Sequence, residues 1–96
     1  SHPNASLGLE KLVEIRIESK RIVVGNQFQV TRTAERSEAD LAKLTIQTIE
    51  HLANQWGLPP SRFYWVPSVS LMFEPAENRL GMILEKVVED AGAALE

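Results

Sequence analysis

Cysteine is absent from this chain of 96 residues, which excludes disulfides, thiolate nucleophiles and sulfur-ligated metal sites. The compartment stays open, because a domain without cysteine suits any redox environment. Histidine is almost absent as well. His2 stands in the leading segment and His51 falls beside Glu50 on the flank of an apolar stripe, where solvent exposure is expected. No nucleophile, base and orienting acid come together, and no spacing of histidines or carboxylates suits a metal. Glu85 and Glu89 lie one helical turn apart, but Lys86 and Asp90 around them mark a solvated face. Gly25 and Gly81 are isolated, so there is no glycine-rich phosphate loop and no GXXG clamp for RNA. A net charge of −3 lacks the basic field that phosphate backbones require. No stretch approaches the ~20 apolar residues of a membrane-spanning helix. These absences lead us to expect no enzyme, no cofactor, no metal, no nucleic-acid partner and no membrane insertion by this segment.

The hydrophobic fraction of 44% and charged fraction of 24% are those of a globular, soluble chain. Residues 1–9 read as a flexible or vector-derived leader, and residues 10–96 as one α+β domain, part of a larger protein. Charge is uneven. Residues 11–36 hold six basic side chains against three acids, and residues 74–96 hold six acids against two bases. Solvated faces commonly fall out this way, and such asymmetry also orients head-to-tail partners.

Val13, Ile15 and Ile17 alternate with Glu14, Arg16 and Glu18, the period of a strand with one buried face. After Ser19-Lys20, Ile22 to Val24 returns. Gly25-Asn26 then tolerates positive φ at a turn or bulge before Phe28 and Val30. Ile22 to Val24 is short for an independent strand, so a single kinked second strand is favoured over a three-strand meander. Ser37 is placed as a helix N-cap, with Asp40 closing a capping box. Leu41, Leu44, Thr45, Thr48, Ile49, Leu52 and Trp56 follow at helical spacing until Gly57 and Pro59-Pro60 stop the helix. Ala42, Ile46 and Ala53 widen its apolar stripe, implying contact with the loop Leu58 to Tyr64 or with a second subunit. Val69, Leu71 and Phe73 make a third alternating strand. Asn78 is a candidate cap for a last helix carrying Leu80, Ile83, Leu84, Val87, Ala91 and Ala94, expected to run to the last residue, with an earlier end at Gly92 as the alternative. The passage from Phe28–Val30 to Val69–Phe73 is long enough to cross over between parallel strands. The expected fold is therefore a two-layer α+β sandwich of ββαβα order, a small mixed three-stranded sheet with both helices on one face.

Phe63-Tyr64-Trp65 gathers three of the six aromatics. Adjacent residues of an extended run cannot all enter one core, and aromatics concentrate binding energy at interfaces. The alternative is that Phe63 and Trp65 plug the end of the sandwich over Trp56 while Tyr64 lies outside. Strand edges at Arg21 to Val24 or Ser68 to Met72 are the other candidates, since little at Ser70 and Met72 blocks pairing with a further strand. The candidate interaction surface is thus Phe63, Tyr64, Trp65, Ser68, Ser70 and Met72.

The order of elements over residues 12–92 resembles the periplasmic domain of Tol/Exb-type biopolymer-transport proteins. It is carried by Ile17-Glu18-Ser19-Lys20-Arg21-Ile22-Val23-Val24-Gly25-Asn26, by Val69 to Glu74, and by a helix closing on Asp90-Ala91-Gly92. Glu74 stands where the family has Asp, Pro75-Ala76-Glu77-Asn78 lacks the family's Tyr, and little follows Gly92 where the family has a further strand. The resemblance implies a non-enzymatic, dimerising module and transfers no catalytic residue. The expected function is a non-catalytic protein–protein interaction or assembly domain, homodimeric through a strand edge or the Phe63–Trp65 surface. The alternative is a small-ligand-binding regulatory domain of a larger enzyme, with its site between the loop Leu58–Tyr64 and the sheet.

Overall fold

Val13, Ile15 and Ile17 are buried and their neighbours Glu14 and Arg16 exposed, as the alternation requires. The computed structural model describes residues 7–95. It begins with β1 (Leu7–Ile17), β2 (Arg21–Val24) and β3 (Phe28–Thr31), continues through α1 (Glu38–Asn54) and β4 (Phe63–Phe73), and ends with α2 (Asn78–Asp90) and β5 (Ala94–Leu95). A single 3-10 turn, Pro75–Glu77, leads into α2. The sheet order is β3-β2-β1-β4-β5, with β1–β2 and β2–β3 antiparallel and β1–β4 and β4–β5 parallel. Residues 1–6 of the leading segment and Glu96 lie outside the described residues.

The fold is α+β with two helices, but its mixed sheet has five strands, correcting the three-stranded sheet and the ββαβα order. One added strand comes from splitting the kinked second strand. Gly25 and Asn26 both take positive φ, and the chain reverses fully there, pairing Val24 with Phe28. A strand of four residues survives because it is interior: Ile22 and Val24 are sealed between β1 and β3 beneath the helices. Leu52 of α1 presses on this turn, leaving no room for a side chain at residue 25. The other added strand, β5, follows Gly92. That glycine takes a positive φ, and Gly92 and Ala93 donate back to the Glu89 and Val88 carbonyls, a Schellman closure that aims the chain along β4.

The helices develop largely as their sequences require. Ser37 Oγ accepts from the Asp40 N–H and Asp40 Oδ2 accepts from the Ser37 N–H, both at 3.1 Å, completing the capping box. Helix α1 ends at Asn54, and Gly57 takes its positive φ three residues later. Asn78 is the first residue of α2 rather than its cap, which falls on Glu77 without a side-chain hydrogen bond. Both helices cover the face formed by Val13, Ile15, Ile22, Val24, Val30 and Val69, and Leu80, Leu84 and Val88 close the core from above. Thr45 enters this core with its hydroxyl donating to the Leu41 carbonyl at 2.7 Å, so no polar atom is stranded.

Candidate functional site, the outer edge of β4

Strand β4 is much longer than the alternation Val69-Leu71-Phe73 suggests. It runs unbroken beside β1 from Leu7–Phe63 to Ile17–Phe73 without a bulge. The ladder fixes which side of the sheet each side chain takes. Phe63, Trp65, Val69, Leu71 and Phe73 share the helix side with Val13, Ile15 and Ile17, whereas Tyr64, Val66, Ser68, Ser70 and Met72 share the other side with Leu12, Glu14 and Arg16.

The sequence-derived candidates are therefore divided. Trp65 packs edge-to-face on Trp56 with ring centroids 5.7 Å apart, and its Nε1–H donates to the Gly57 carbonyl at 2.9 Å. Lys11 Nζ sits 5.4 Å and 5.2 Å from the two ring centroids, a cation–π clamp over both tryptophans. Phe63 and Trp65 thus lie on the helix side, where Trp65 closes the end of the sandwich over Trp56. Tyr64, Ser68, Ser70 and Met72 come together on the side without helices. Within that group Ser68 is only 3% exposed, whereas Met72 is 39% and neighbouring Leu12 52% exposed. The other proposed edge, Arg21–Val24, is interior to the sheet, because β3 forms beyond it. His51 is exposed and meets Phe28 edge-on at 5.1 Å.

Backbone direction sharpens this further. The Leu7 N–H donates to the Arg62 carbonyl at 3.3 Å, so the even-numbered residues of β4 direct their N–H and C=O toward β1. The odd-numbered residues, Trp65 to Phe73, direct theirs to the outer edge. Pro67 obeys this rule. Its missing N–H falls on the outer side, which is why a proline sits inside a long strand without costing a ladder hydrogen bond. On that outer edge, among the described residues, β5 pairs with Ser68 and Val69. Beyond it, Leu71 and Phe73 present outward backbone groups with no strand beside them among the described residues.

An open groove of about 880 Å³ runs past this point, lined by Leu71, Met72 and Phe73 with Arg16, Glu18 and Glu85 among the polar residues. Arg21 donates to Glu18 Oε1 at 2.7 Å, and this hydrogen bond, opposed by desolvation and helped by the charges of Arg21 and Arg16, holds the Glu18 carboxyl below its usual range. The opposite sheet edge is built differently. On β3 the outward Thr31 carbonyl is taken by Arg36 at 2.6 Å, and Thr33, Leu44 and Thr48 border the strand.

A second, apolar groove of about 380 Å³ lies where α1, β4 and the α2–β5 turn converge, lined by Ile46, Ile49, Ala53, Trp65, Pro67 and Ala93. Of the loop Leu58–Tyr64 expected to border such a site, only Tyr64 reaches it. Ala42 and Ile46 also border a furrow against Ile83 and Val87, so the widened stripe of α1 meets α2 rather than that loop.

Among the described residues no group of three or more His, Asp or Glu gathers as a metal site, and no helix is long and apolar enough to cross a membrane. Comparison with family models, with curated proteins and with solved structures finds no match to this chain.

Proposed function

We propose that this chain is a non-catalytic protein–protein interaction or assembly domain that associates through the outer part of its sheet, at β4. One observation carries this reading. Phe63–Phe73 is an eleven-residue strand without a charged side chain, yet among the described residues β5 pairs with two of its residues on the outer side. Sheet edges ordinarily carry charges, prolines at donor positions or covering loops that prevent pairing, and β3 has such a cover in Arg36. The uncharged edge adjoins Met72 and Leu12, exposed on the side without helices, so backbone pairing and apolar contact are offered together. The Tol/Exb-type resemblance points the same way, toward a dimerising module.

Sedimentation equilibrium across a wide concentration range tests this. The weight-average mass is expected to rise with concentration, and Met72→Lys is expected to suppress the rise without lowering thermal stability. A constant monomer mass together with no effect of Met72→Lys on assembly of the full-length gene product would overturn the reading. A second reading, a small-ligand-binding regulatory domain of a larger enzyme, is favoured by the apolar groove beside Trp65 and Pro67.

A further inference from the structure

We infer that the apolar groove beside Trp65 binds a flat cyclic amide, a lactam, whose carbonyl and N–H pair with the main chain of Trp65. This rests on the ligand-binding reading and names the chemical class of the ligand. The Trp65 side chain is committed, its ring to Trp56 and Lys11 and its Nε1–H to the Gly57 carbonyl. Its backbone is not. Trp65 is one of the odd-numbered residues of β4, so its N–H and C=O point away from β1, and neither has a partner among the described residues. Strand β5 leads away from this point, since it starts opposite Ser68 and runs parallel to β4 toward Phe73. The Gly92–Ala93 turn before it borders the groove.

These two backbone groups open on an apolar cavity of about 380 Å³, with Ile46, Ile49 and Ala53 of α1 along one side and Pro67 and Ala93 along the edge. Apolar walls with a few convergent polar groups are the usual form of a small-molecule site. Here the polar groups are a donor and an acceptor of one extended residue, side by side in the plane of the sheet. Their complement is an acceptor and a donor side by side in one plane, which is the edge of a lactam. A ligand of the same outline without that edge would strip Trp65 of water and leave a donor or an acceptor unpaired, which costs more than the bond itself contributes.

A further strand is a poorer match. Strand addition uses a run of outward residues. The next ones are Phe63, whose N–H already donates to the Pro60 carbonyl at 3.0 Å, and Pro67, which has no N–H. A single residue with both groups open remains, and one lactam edge saturates it. Charge narrows the class further. Glu50, exposed on α1, is the charged side chain of the lining, and it also borders the furrow between α1 and α2. A carboxylate or phosphate is repelled there, whereas a neutral or ammonium-bearing lactam is accepted.

Quinolin-2-one is a suitable probe, and N-methylquinolin-2-one keeps its outline without the donor. Each is titrated into the chain and followed by backbone amide NMR. Quinolin-2-one is expected to bind with its largest shifts at the Trp65 and Ala93 amides, and the N-methyl compound at least tenfold more weakly. An aminomethyl substituent should tighten binding and a carboxylate weaken it, and Glu50→Gln should remove that difference. Ala53→Leu, which fills the groove, should abolish binding, while Ala39→Leu, which fills only the furrow between the helices, should leave it unchanged. The shift map of the unaltered chain decides the site if Ala53→Leu fails to fold. Equal affinity for the two quinolinones, or shifts confined to the furrow, overturns the lactam inference. Failure of both quinolinones while a metabolite screen finds a ligand in this groove overturns the lactam class and leaves the ligand-binding reading standing. Failure of the quinolinones together with a flat screen removes both.

Discussion

Replacing Gly81 with alanine sets two effects of known sign against each other, and the structure decides between them. Gly81 is buried in the first half of α2, and α2 packs on the end of β4. In an unobstructed helix, glycine to alanine stabilises by roughly 0.5–1 kcal/mol, because alanine loses less backbone entropy. Here a Cβ at residue 81 would fall 2.6 Å from both Cε1 and Cε2 of Phe73, so the ring or the helix must move. Forcing a methyl group into a packed contact costs about 1–3 kcal/mol. The ring is partly exposed and yields toward solvent, which places the cost near the middle of that range. The expected net effect is a destabilisation of about 1 kcal/mol, or ~4–8 °C in melting temperature for a domain of this size.

Urea unfolding followed by the fluorescence of Trp56 and Trp65 gives the number, with the slope m unchanged if the denatured state is unaffected. A double-mutant cycle isolates the cause. In a Phe73→Ala background the obstruction is gone, and Gly81→Ala should become stabilising by roughly 0.5–1 kcal/mol, a reversal of sign. Gly81→Ala stabilising the unaltered chain, or a cycle that is simply additive, would show that Phe73 is not held against α2 and would refute the packing at the end of β4.

Two further outcomes are expected. Ser37→Ala removes the hydroxyl that accepts from the Asp40 N–H, leaving the backbone arm to Asp40 Oδ2, and should cost ~0.5–2 kcal/mol in urea unfolding, while Ser37→Gly should cost only a few tenths; no loss on Ser37→Ala would mean that the side-chain hydrogen bond is not what stabilises the start of α1. If the groove beside Trp65 binds a small apolar ligand, a metabolite screen by thermal shift should find a reproducible rise, with stabilisation of about 2.7 kcal/mol at a hundred times the dissociation constant; a flat screen removes the regulatory-domain reading.

What was legible in the sequence was whatever rested on a period or a local hydrogen bond. Val13-Ile15-Ile17, the Ser37–Asp40 box and the stripe of α2 up to Val87 are decided within a few residues, and each stands where the pattern places it, whereas α2 stops at Asp90 and Ala94 belongs to β5 rather than to a helix that runs to the last residue. Elements whose stability comes from neighbours were not legible. Strand β2 is too short to show a period and exists because two strands flank it. The first half of β4 reads as an extended run outside the third strand, since an aromatic run followed by Val66-Pro67 has no alternation and a proline suits a strand start or an edge. Its conformation follows from the β1 ladder and from Pro67 facing outward, neither of which is a local property. Strand β5 has two residues, below any pattern, and depends on the Gly92 turn to direct it. The candidate site suffered the same limit. Composition selected Phe63, Tyr64 and Trp65, but only register separates Trp65, locked on Trp56, from Tyr64 on the opposite side of the sheet.

The separation of those two aromatics moves the functional weight from composition to backbone. Trp65 and Lys11 are accounted for by the closing of the sandwich over Trp56, so their chemistry needs no partner. Leu71 and Phe73 are not so accounted for. A stretch of strand with outward N–H and C=O groups, uncharged and with no strand beside it among the described residues, invites pairing with an extended segment. The contrast lies within one sheet: the β3 edge has its carbonyl filled by Arg36 and the unpaired stretch of β1 carries Glu10 and Lys11, whereas the β4 edge has Pro67 toward its start and neither charge nor proline from Ser68 to Phe73. Blunting two edges and leaving a third bare is what a sheet requires when it must reject pairing at random and accept it at one place. On the assembly reading proposed above, the outer edge of β4 is that place.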